Sequence, residues 1–371
     1  MKRIFTILLA GISLITSAQE RCGAEAHAKN MMNNNPSYAI ARDKVNAQTE
    51  KWIENNPNHS EKTIITIPVV VHVVWETNTQ NISDAQILSQ IDVLNEDFRR
   101  TNVDQINTPN VWTSIATDSE IEFCLATTDP NGNTTTGIER TQTTHGEFGM
   151  DSDIHTASAG GADDWPNDDY LNIWVCNIQS GLLGYASPPS NWVGDGDGLV
   201  IGYRYFGRTG TLQSPYNKGR TVTHEVGHWL NLDHVWGAWG SCGNDQVADT
   251  PKQETENYSC PAFPLNPNAC STTNANGDMF MNYMDYTNDA CMNLFTNGQK
   301  DRMLAAINLY RSNMVTNNCD GSVGISEQKN NKKKLIKIVD VLGRTSTEKQ
   351  TNTPLFYIYD NGSVEKKIII E

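Results

Sequence analysis

The segment HEVGHWLNLDH, residues 224–234, decides the fold class of this chain and predicts a metal centre. His224 and His228 are four residues apart, so on a helix their imidazoles would lie on one face, one turn apart. This spacing suits two ligands of one zinc ion, and His234 would supply a third ligand if the helix ended and the chain turned back. Glu225 lies between the two histidines, where a carboxylate can act as a general base.

The predicted turn depends on Asn231. In the longer pattern H-E-x-x-H-x-x-G-x-x-H, a glycine stands at the position that Asn231 holds here. That glycine suits a left-handed backbone at the end of the helix. Because asparagine tolerates this conformation better than other residues with a Cβ, we predict a positive φ at Asn231.

Two further features and several longer stretches identify a family. Trp229, Leu230 and Leu232 give the predicted helix an apolar face, and Met284 in MNYMDY fits the Met-turn beneath a metzincin zinc site. With this motif, the chain resembles the pappalysin family of metzincin zinc metalloproteases over most of residues 60–315. The other stretches that carry the resemblance are IPVVVHVVW (67–75), IEFCLATTDPNGNTTTGIER (121–140) and NYMDYTNDACMNLFTNGQKDRM (282–303).

The resemblance implies an α/β (α+β) fold, a metzincin catalytic domain. It would contain a twisted mixed sheet, a backing helix, an active-site helix and an irregular lower subdomain linked by disulfides. Hydrophobic patterns predict where the elements lie, with Ser83 as a helix N-cap. Strands are expected at 63–75, 119–127 and 171–178, an edge strand or hairpin at 198–205, and helices at 83–99, 219–231 and 297–313.

The resemblance also implies a secreted zinc endopeptidase that hydrolyses peptide bonds in proteins. A zinc-bound water would be the nucleophile, with Glu225 as its general base and Tyr286 as a donor to the developing oxyanion. Family members often accept a basic residue just after the cut, and Asp285 or Asp289 could supply the complementary charge. One alternative is a non-catalytic binding protein on the same scaffold, but such a scaffold would not need Glu225. Another is a zinc hydrolase of non-peptide substrates.

The N-terminus predicts export. Residues 1–18 combine Lys2 and Arg3, a short apolar core and a small-residue cleavage site, which is typical of a signal peptide. No other apolar run is long enough to span a membrane. The formal net charge of −15 argues against a nucleic acid partner. We therefore expect a monomer that is secreted or associated with the cell surface, with protein or peptide substrates.

Residues 19–60 are predicted to be a propeptide. They contain Cys22 in the sequence RCG, which resembles the cysteine switch of matrix metalloproteases. A thiolate is a good zinc ligand and would fill the open coordination position in the zymogen. The alternative is an incidental cysteine near the mature N-terminus.

The chain has eight cysteines. Four of them lie between the zinc helix and the end of the Met-turn region, and the sequence alone leaves three pairings open. Family resemblance implies Cys242–Cys270 and Cys260–Cys291. Cys124 and Cys176 lie in apolar strand-like runs and are expected to be buried free thiols. The sequence gives no role for Cys319.

A second metal site is suggested by the loop CGNDQVADTP, residues 242–251. Asp245, Asp249 and Thr250 offer oxygen ligands of the kind that calcium prefers, and the resemblance implies calcium in this loop. By contrast, the remaining histidines that the sequence singles out are expected to be a strand residue, His72, and two loop residues, His145 and His155.

The last part of the chain has a different composition. After a catalytic domain at 61–320, residues 321–332 form a polar linker with a basic end. Residues 333–371 show two strand patterns around a turn, with an Asn361-Gly362 hairpin signal. This small β module resembles a C-terminal sorting domain of the type IX secretion system, whose partner would be the secretion machinery. The alternative is an accessory β module that binds a ligand or the cell wall.

Overall fold

The computed structural model describes residues 20–57, 64–190, 196–237, 242–265, 270, 275–315, 319, 335–340, 344–346, 354–359 and 364–368. It divides into two compact units, residues 1–321 and residues 322–371. Among the described residues, no helix is both long and apolar enough to cross a membrane.

The first unit is a mixed sheet of seven strands flanked by helices. Its strands are β1 (Glu20–Cys22), β2 (Ile65–Trp75), β3 (Ile121–Leu125), β4 (Ile138–Gln142), β5 (Leu171–Cys176), β6 (Leu182–Ala186) and β7 (Gly198–Gly202). The order is β1-β6-β7-β5-β2-β3, with β4 also paired to β2. All pairings are parallel except β6 with β7. This mixed sheet with helices confirms the predicted fold class.

The helices of the first unit pack on the sheet or on one another. They are α1 (Ala24–Asn34), α2 (Pro36–Asn55), α3 (Asp84–Phe98), α4 (Arg220–Trp229) and α5 (Asn297–Tyr310). On α3, Ile87, Leu94 and Phe98 are fully buried, and the Ser83 side chain accepts a hydrogen bond from the Gln86 N–H. The predicted backing helix and its cap are therefore confirmed.

Two expectations about the sheet need correction. The strand predicted at 198–205 ends at Gly202 and is not an edge strand, because β6 covers it on one side and β5 on the other. The strands expected from the sequence also omitted β1, which joins the sheet beside β6 and is followed by α1 and α2. Asn35 caps α2, and Pro36 occupies its first turn.

The disulfides fit the family pairing, with one surprise. Cys242 bonds Cys270 and Cys260 bonds Cys291, which cross-links the irregular region between α4 and α5. Cys176 is a buried free thiol, as predicted. The same expectation for Cys124 is wrong because it bonds Cys319, 195 residues away. Cys124 lies on the less buried face of β3, where this partner can reach it.

The second unit contains a three-stranded antiparallel sheet with the order β10-β9-β8. Its strands are β8 (Leu335–Val339), β9 (Pro354–Tyr359) and β10 (Val364–Ile368). Ile338, Leu355 and Tyr357 form its small core. Asn361 and Gly362, the predicted turn, lie outside the described residues, but the antiparallel pairing of β9 with β10 fits a hairpin.

Candidate active site

Helix α4 and the turn after it bring three histidines together. The helix ends at Trp229, and Asn231 has φ of 70°, as its position predicted. The chain then turns back, so that His234 meets the two helical histidines. The Nε2 atoms of His224, His228 and His234 lie 3.0–3.2 Å from one another, and all three side chains are buried.

The hydrogen bonds of the opposite ring atoms leave these three Nε2 atoms available to a cation. Nδ1 of His224 and of His228 meets the carbonyl oxygens of Tyr283 and Leu232, and Nδ1 of His234 meets Glu25. An acceptor fixes the proton on Nδ1, which leaves a lone pair on each Nε2. Three lone pairs cannot hydrogen-bond to each other. Their spacing is close to the edge of about 3.3 Å expected for tetrahedral zinc with Zn–N of about 2.0–2.1 Å.

The charge state of the histidines also suits a metal. Burial lowers the pKa of His228 and of His234 to about 3 and the pKa of His224 well below its usual value. The imidazoles are therefore neutral near pH 7, which is the form that coordinates metals.

Cys22 completes a group of four possible ligands. Its Sγ and one nitrogen of each histidine all lie within 4.8 Å of one another, and all four residues are buried. The pairing of β1 with β6 sets Cys22 opposite Gly184, and the Gly23 N–H donates to the Gly184 carbonyl. Backbone pairing thus aims the thiol at the histidines.

Glu225 lies beside this group. Its Oε2 accepts a hydrogen bond from Cys22 Sγ at 3.4 Å, and its Oε1 is buried without a hydrogen-bond partner among the described residues. Burial raises the pKa of Glu225 to about 8. A desolvated carboxyl group with one unused oxygen next to a metal site can exchange a proton with water.

The Met284 loop forms the floor of the site. An added Cβ on Gly227 would lie 2.4 Å from Met284 Sδ, so the thioether packs directly against α4. The sequence analysis missed Gly227, although a glycine inside a helix is a sign of such close packing. Tyr286 follows on the same loop. Its ring lies 5.0 Å from that of His234, and its hydroxyl donates to the Cys22 carbonyl at 3.3 Å.

A buried carboxylate that the sequence analysis missed connects these elements. Asp97 on α3 accepts hydrogen bonds from Thr223 and Arg220 on α4 and from the Tyr283 hydroxyl. Its sequence signal is its position three residues after Leu94, on the inward face of an amphipathic helix. This network fixes the active-site helix relative to the loop that contains Met284.

The two acidic candidates for substrate recognition have different surroundings. Asp285 is saturated, because it accepts from Gln253, Asn257 and the Tyr286 N–H. Asp289 pairs with the buried guanidinium of Arg21 at 3.3 Å.

The other oxygen of Asp289 is held by backbone groups at the start of α4, since the N–H groups of Lys218 and Arg220 donate to it. Arg21 also donates to the Thr287 carbonyl and lies over the Tyr216 ring. Arg21, the residue before Cys22, therefore fills a pocket that ends at the fixed carboxylate of Asp289.

The three calcium candidates have different surroundings. Asp245 and Thr250 line a cavity of about 330 Å³, and the Thr250 hydroxyl donates to Asp245. Asp249 instead accepts from Thr296 and from the Gly298 N–H at the start of α5. Burial raises the pKa of Asp245 to about 7.

The other histidines that the sequence analysis considered, His72, His145 and His155, lie outside the three-histidine group. His72 is buried in β2 between Glu139 and Asn172, and His145 stacks on Phe148. His155 is buried against Trp174.

Comparisons with known proteins agree on the kind of protein that has this site. The family described as peptidase M43, pregnancy-associated plasma protein-A, matches residues 155–308. An extracellular metalloprotease of Arthroderma benhamiae is 30% identical over 83% of this chain and 98% of its own length. One of Arthroderma otae is 33% identical over 67% of this chain and 80% of its own length.

Solved structures from Tannerella forsythia are similar as well. Mature mirolysin in complex with a cleaved peptide is 53% identical, with a TM-score of 0.64, over 68% of this chain and 96% of that one. A promirolysin mutant is 47% identical, with a TM-score of 0.68, over 80% of this chain and 97% of that one. None of these names supports a non-catalytic binding protein.

Proposed function

Because this chain belongs to the pappalysin family of metzincins and is a secreted metalloendopeptidase, we propose that its metal is zinc, held by His224, His228 and His234. The observation that carries the proposal is the convergence of three Nε2 lone pairs beside the unpartnered oxygen of Glu225. Peptide and protein substrates follow from the activity of the family.

Each residue has a definable task in peptide hydrolysis. When bound, zinc makes a water molecule more acidic and polarises the scissile carbonyl. Glu225 accepts a proton from the attacking water and returns it to the leaving amine. The Tyr286 hydroxyl, once released from the Cys22 carbonyl, donates to the oxygen that gains negative charge.

Latency follows from the position of Cys22. Its Sγ is close enough to be the fourth ligand of the same ion, and it occupies the position that water needs. We assign residues 19–60 as the propeptide after a signal peptide at 1–18. The promirolysin match covers a larger share of this chain than the mature mirolysin match, which supports a removable N-terminal segment.

Arg21 indicates which substrate side chain the cleft accepts. Its guanidinium fills a buried pocket that ends at Asp289, next to the metal site. We propose that, after propeptide removal, an arginine or lysine side chain of the substrate takes this place. Asp289→Asn should lower kcat/KM by about ten- to a hundredfold on peptides with a basic residue just after the cut, since it leaves that charge unpaired. An otherwise identical peptide with leucine there is the control.

Calcium binding stays a prediction that concerns Asp245 and Thr250. Asp249 is a weaker candidate because its oxygens already accept at the start of α5. Since burial raises the pKa of Asp245 to about 7, any calcium affinity should increase between about pH 6 and pH 8, as the carboxyl group loses its proton. Asp245→Asn should abolish a calcium-dependent rise in Tm, and no rise in the parent enzyme would reject the site.

For the rest of the chain, we propose a catalytic domain at 61–320, a linker at 321–332 and a sorting domain at 333–371. The separate core of the three-stranded sheet supports an independent module. Deleting this module in the native host should trap the enzyme in the periplasm. If the truncated enzyme is still exported, the module has an accessory binding role instead. We expect the enzyme to be a monomer, which light scattering would test.

The central experiment uses the mature enzyme on casein. Glu225→Ala should keep zinc and the fold but lose at least about a hundredfold in rate, because a general base contributes roughly that much. Glu147→Ala, at an exposed glutamate of the same domain, is the matched control. Near-normal proteolysis by zinc-loaded Glu225→Ala protein would overturn the mechanism. Activity that survives complete metal removal would overturn the role of zinc.

A further inference from the structure

The three histidines differ in the origin of their Nδ1 partners. His224 and His228 are held by backbone carbonyls of residues 283 and 232, which remain after the propeptide is removed. His234 is held by the carboxylate of Glu25, at 2.7 Å from Oε1 to Nδ1. Glu25 lies inside the propeptide, so this partner leaves when the propeptide is cut away.

Glu25 is placed by the same junction that places Cys22. Strand β1 ends at Cys22 and α1 begins at Ala24, which puts Glu25 in the first turn of that helix. On the other side of the junction, the Trp236 ring stacks on His234 with a centroid distance of 4.3 Å. The imidazole is thus fixed by an aromatic plane and by a carboxylate hydrogen bond.

A carboxylate on the outer nitrogen of a ligating histidine fixes the ring and makes the inner nitrogen a stronger ligand. We propose that Glu25 is a positioning residue for the third zinc ligand, and that the unprocessed chain owes part of its zinc affinity to Glu25. This rests on the proposed zinc site. Zinc then enters before the propeptide leaves, while both Cys22 and Glu25 are in place.

The test measures zinc affinity in the intact chain and does not depend on activity. Full-length protein with Glu225→Ala, which should not process itself, is titrated against a chromophoric zinc chelator. Adding Glu25→Ala should lower affinity by about ten- to a hundredfold. Glu25→Gln should have a smaller effect, since its amide oxygen still accepts. Glu54→Ala, at an exposed glutamate of α2, should change nothing.

Every variant keeps Cys22, so the thiol contributes equally to all of them. Equal affinity of the parent and Glu25→Ala proteins would overturn the proposal while leaving the zinc site intact. A parent chain that binds no zinc would overturn both the site and this proposal. Circular dichroism would confirm that Glu25→Ala is folded.

A second inference concerns the side chain of Asn231. The left-handed backbone at this position does not by itself require an asparagine side chain. Its Oδ1 accepts from Arg42 at 2.8 Å, and its Nδ2 donates to Thr49 at 3.2 Å. Both partners belong to α2 of the propeptide. Arg302 on α5 donates to the Asn231 carbonyl and also to Asn46 of α2. A glycine would satisfy the turn but would make none of these side-chain contacts.

We infer that Asn231 anchors α2 on the end of the active-site helix, as a second attachment of the propeptide beside Cys22. Like the first inference, this one rests on the assignment of residues 19–60 as the propeptide. It gives the asparagine in the motif a role in latency in addition to its role in the turn.

A double-mutant cycle in the full-length Glu225→Ala protein tests this contact. Asn231→Gly and Arg42→Ala should each speed amide exchange in α2 by about three- to tenfold, the effect of losing one hydrogen bond of roughly 1 kcal/mol. The effect of the double variant should be smaller than the sum of the two single effects, because either change alone already removes the hydrogen bond between Arg42 and Asn231. Lys51→Ala, at an exposed position of α2, is the control.

Zinc content should stay the same in all four proteins. Parent-like exchange in Asn231→Gly, or effects that simply add, would overturn the anchor. Loss of zinc from Asn231→Gly would instead show that the side chain serves the turn, which would also reject the inference.

Discussion

Residues 20–57 and residues 335–368 both lie outside the proposed catalytic domain, but different contacts stabilise them. The first segment adds β1 to the main sheet, and Cys22 and Ala24 belong to the main core. The second forms a sheet with a core of its own. A compact module can fold independently, whereas residues 20–57 are ordered by the surface that they cover. The comparison suggests that propeptide changes affect the active site and that changes in the C-terminal module do not.

The sharpest test of this contrast is Cys22→Ala. The unprocessed chain should be inactive, and the variant should gain at least about tenfold in activity or self-processing, because the thiolate no longer blocks the fourth zinc position. Cys176→Ala, which removes the other buried free thiol, should leave latency unchanged. The same lag and activity with and without Cys22 would reject the cysteine switch.

The Cys124–Cys319 disulfide allows the boundary between the two units to be tested. Cys319→Ser should destabilise the first unit by about 2–4 kcal/mol, the usual effect of losing a bond that closes a long loop. Melting of the C-terminal module should not change. If the Tm of both units fell together in the variant, the units would not be independent.

Mild acid should distinguish the two segments, because the C-terminal module has no histidine. Burial lowers the pKa of His27, which stacks on Tyr185 in the docked propeptide. The docked state therefore needs neutral His27. The stability that neutral His27 gives to the docked state is complete above the ordinary histidine pKa of about 6.5. It is lost as the pH falls below that value.

The protection of α1 amides, relative to the intrinsic exchange rate at each pH, should accordingly fall as the pH drops from about 7 to about 5. His27→Gln should reduce this pH dependence. An unchanged pH profile in the variant would assign the effect to another group.

The smallest effect is expected from deleting the C-terminal module. A chain that ends at residue 320 retains Cys319 and should cleave casein within about twofold of the full-length enzyme, since the polar linker offers little apolar surface for docking. Loss of activity toward unfolded protein would show that the module is not independent of the active site, because it would then belong to the catalytic machinery.

Local patterns predicted that the three histidines lie close together, since these residues are close in sequence. The four-residue spacing of His224 and His228 is a property of one helix, and the positive φ of Asn231 follows from its place after that helix. The alternation in β3 could also have shown that Cys124 points away from the core, with Glu122. The pattern was available, but the apolar neighbours suggested burial.

Other features depend on contacts that no local pattern contains. Glu25 meets His234 across 209 residues, and Arg21 meets Asp289 across 268. Their partners are set by how β1 joins the sheet beside β6, and neither strand has the length or the β-branched composition that reveals a strand. The grouping of the three histidines was therefore predictable from sequence, whereas the contacts that residues 20–57 make with this group required the fold.

The bond between Cys124 and Cys319 has a consequence for survival in the presence of other copies of the same protease. The loop that it closes contains all three histidines, Glu225 and the Met284 loop. A single cut anywhere inside that loop leaves the two fragments covalently joined, so a nicked molecule need not fall apart. Residues 20–57 and the C-terminal unit both lie outside that loop. A cut in either of these segments leaves the disulfide-closed loop whole, and a cut within the loop leaves its two fragments joined by the bond.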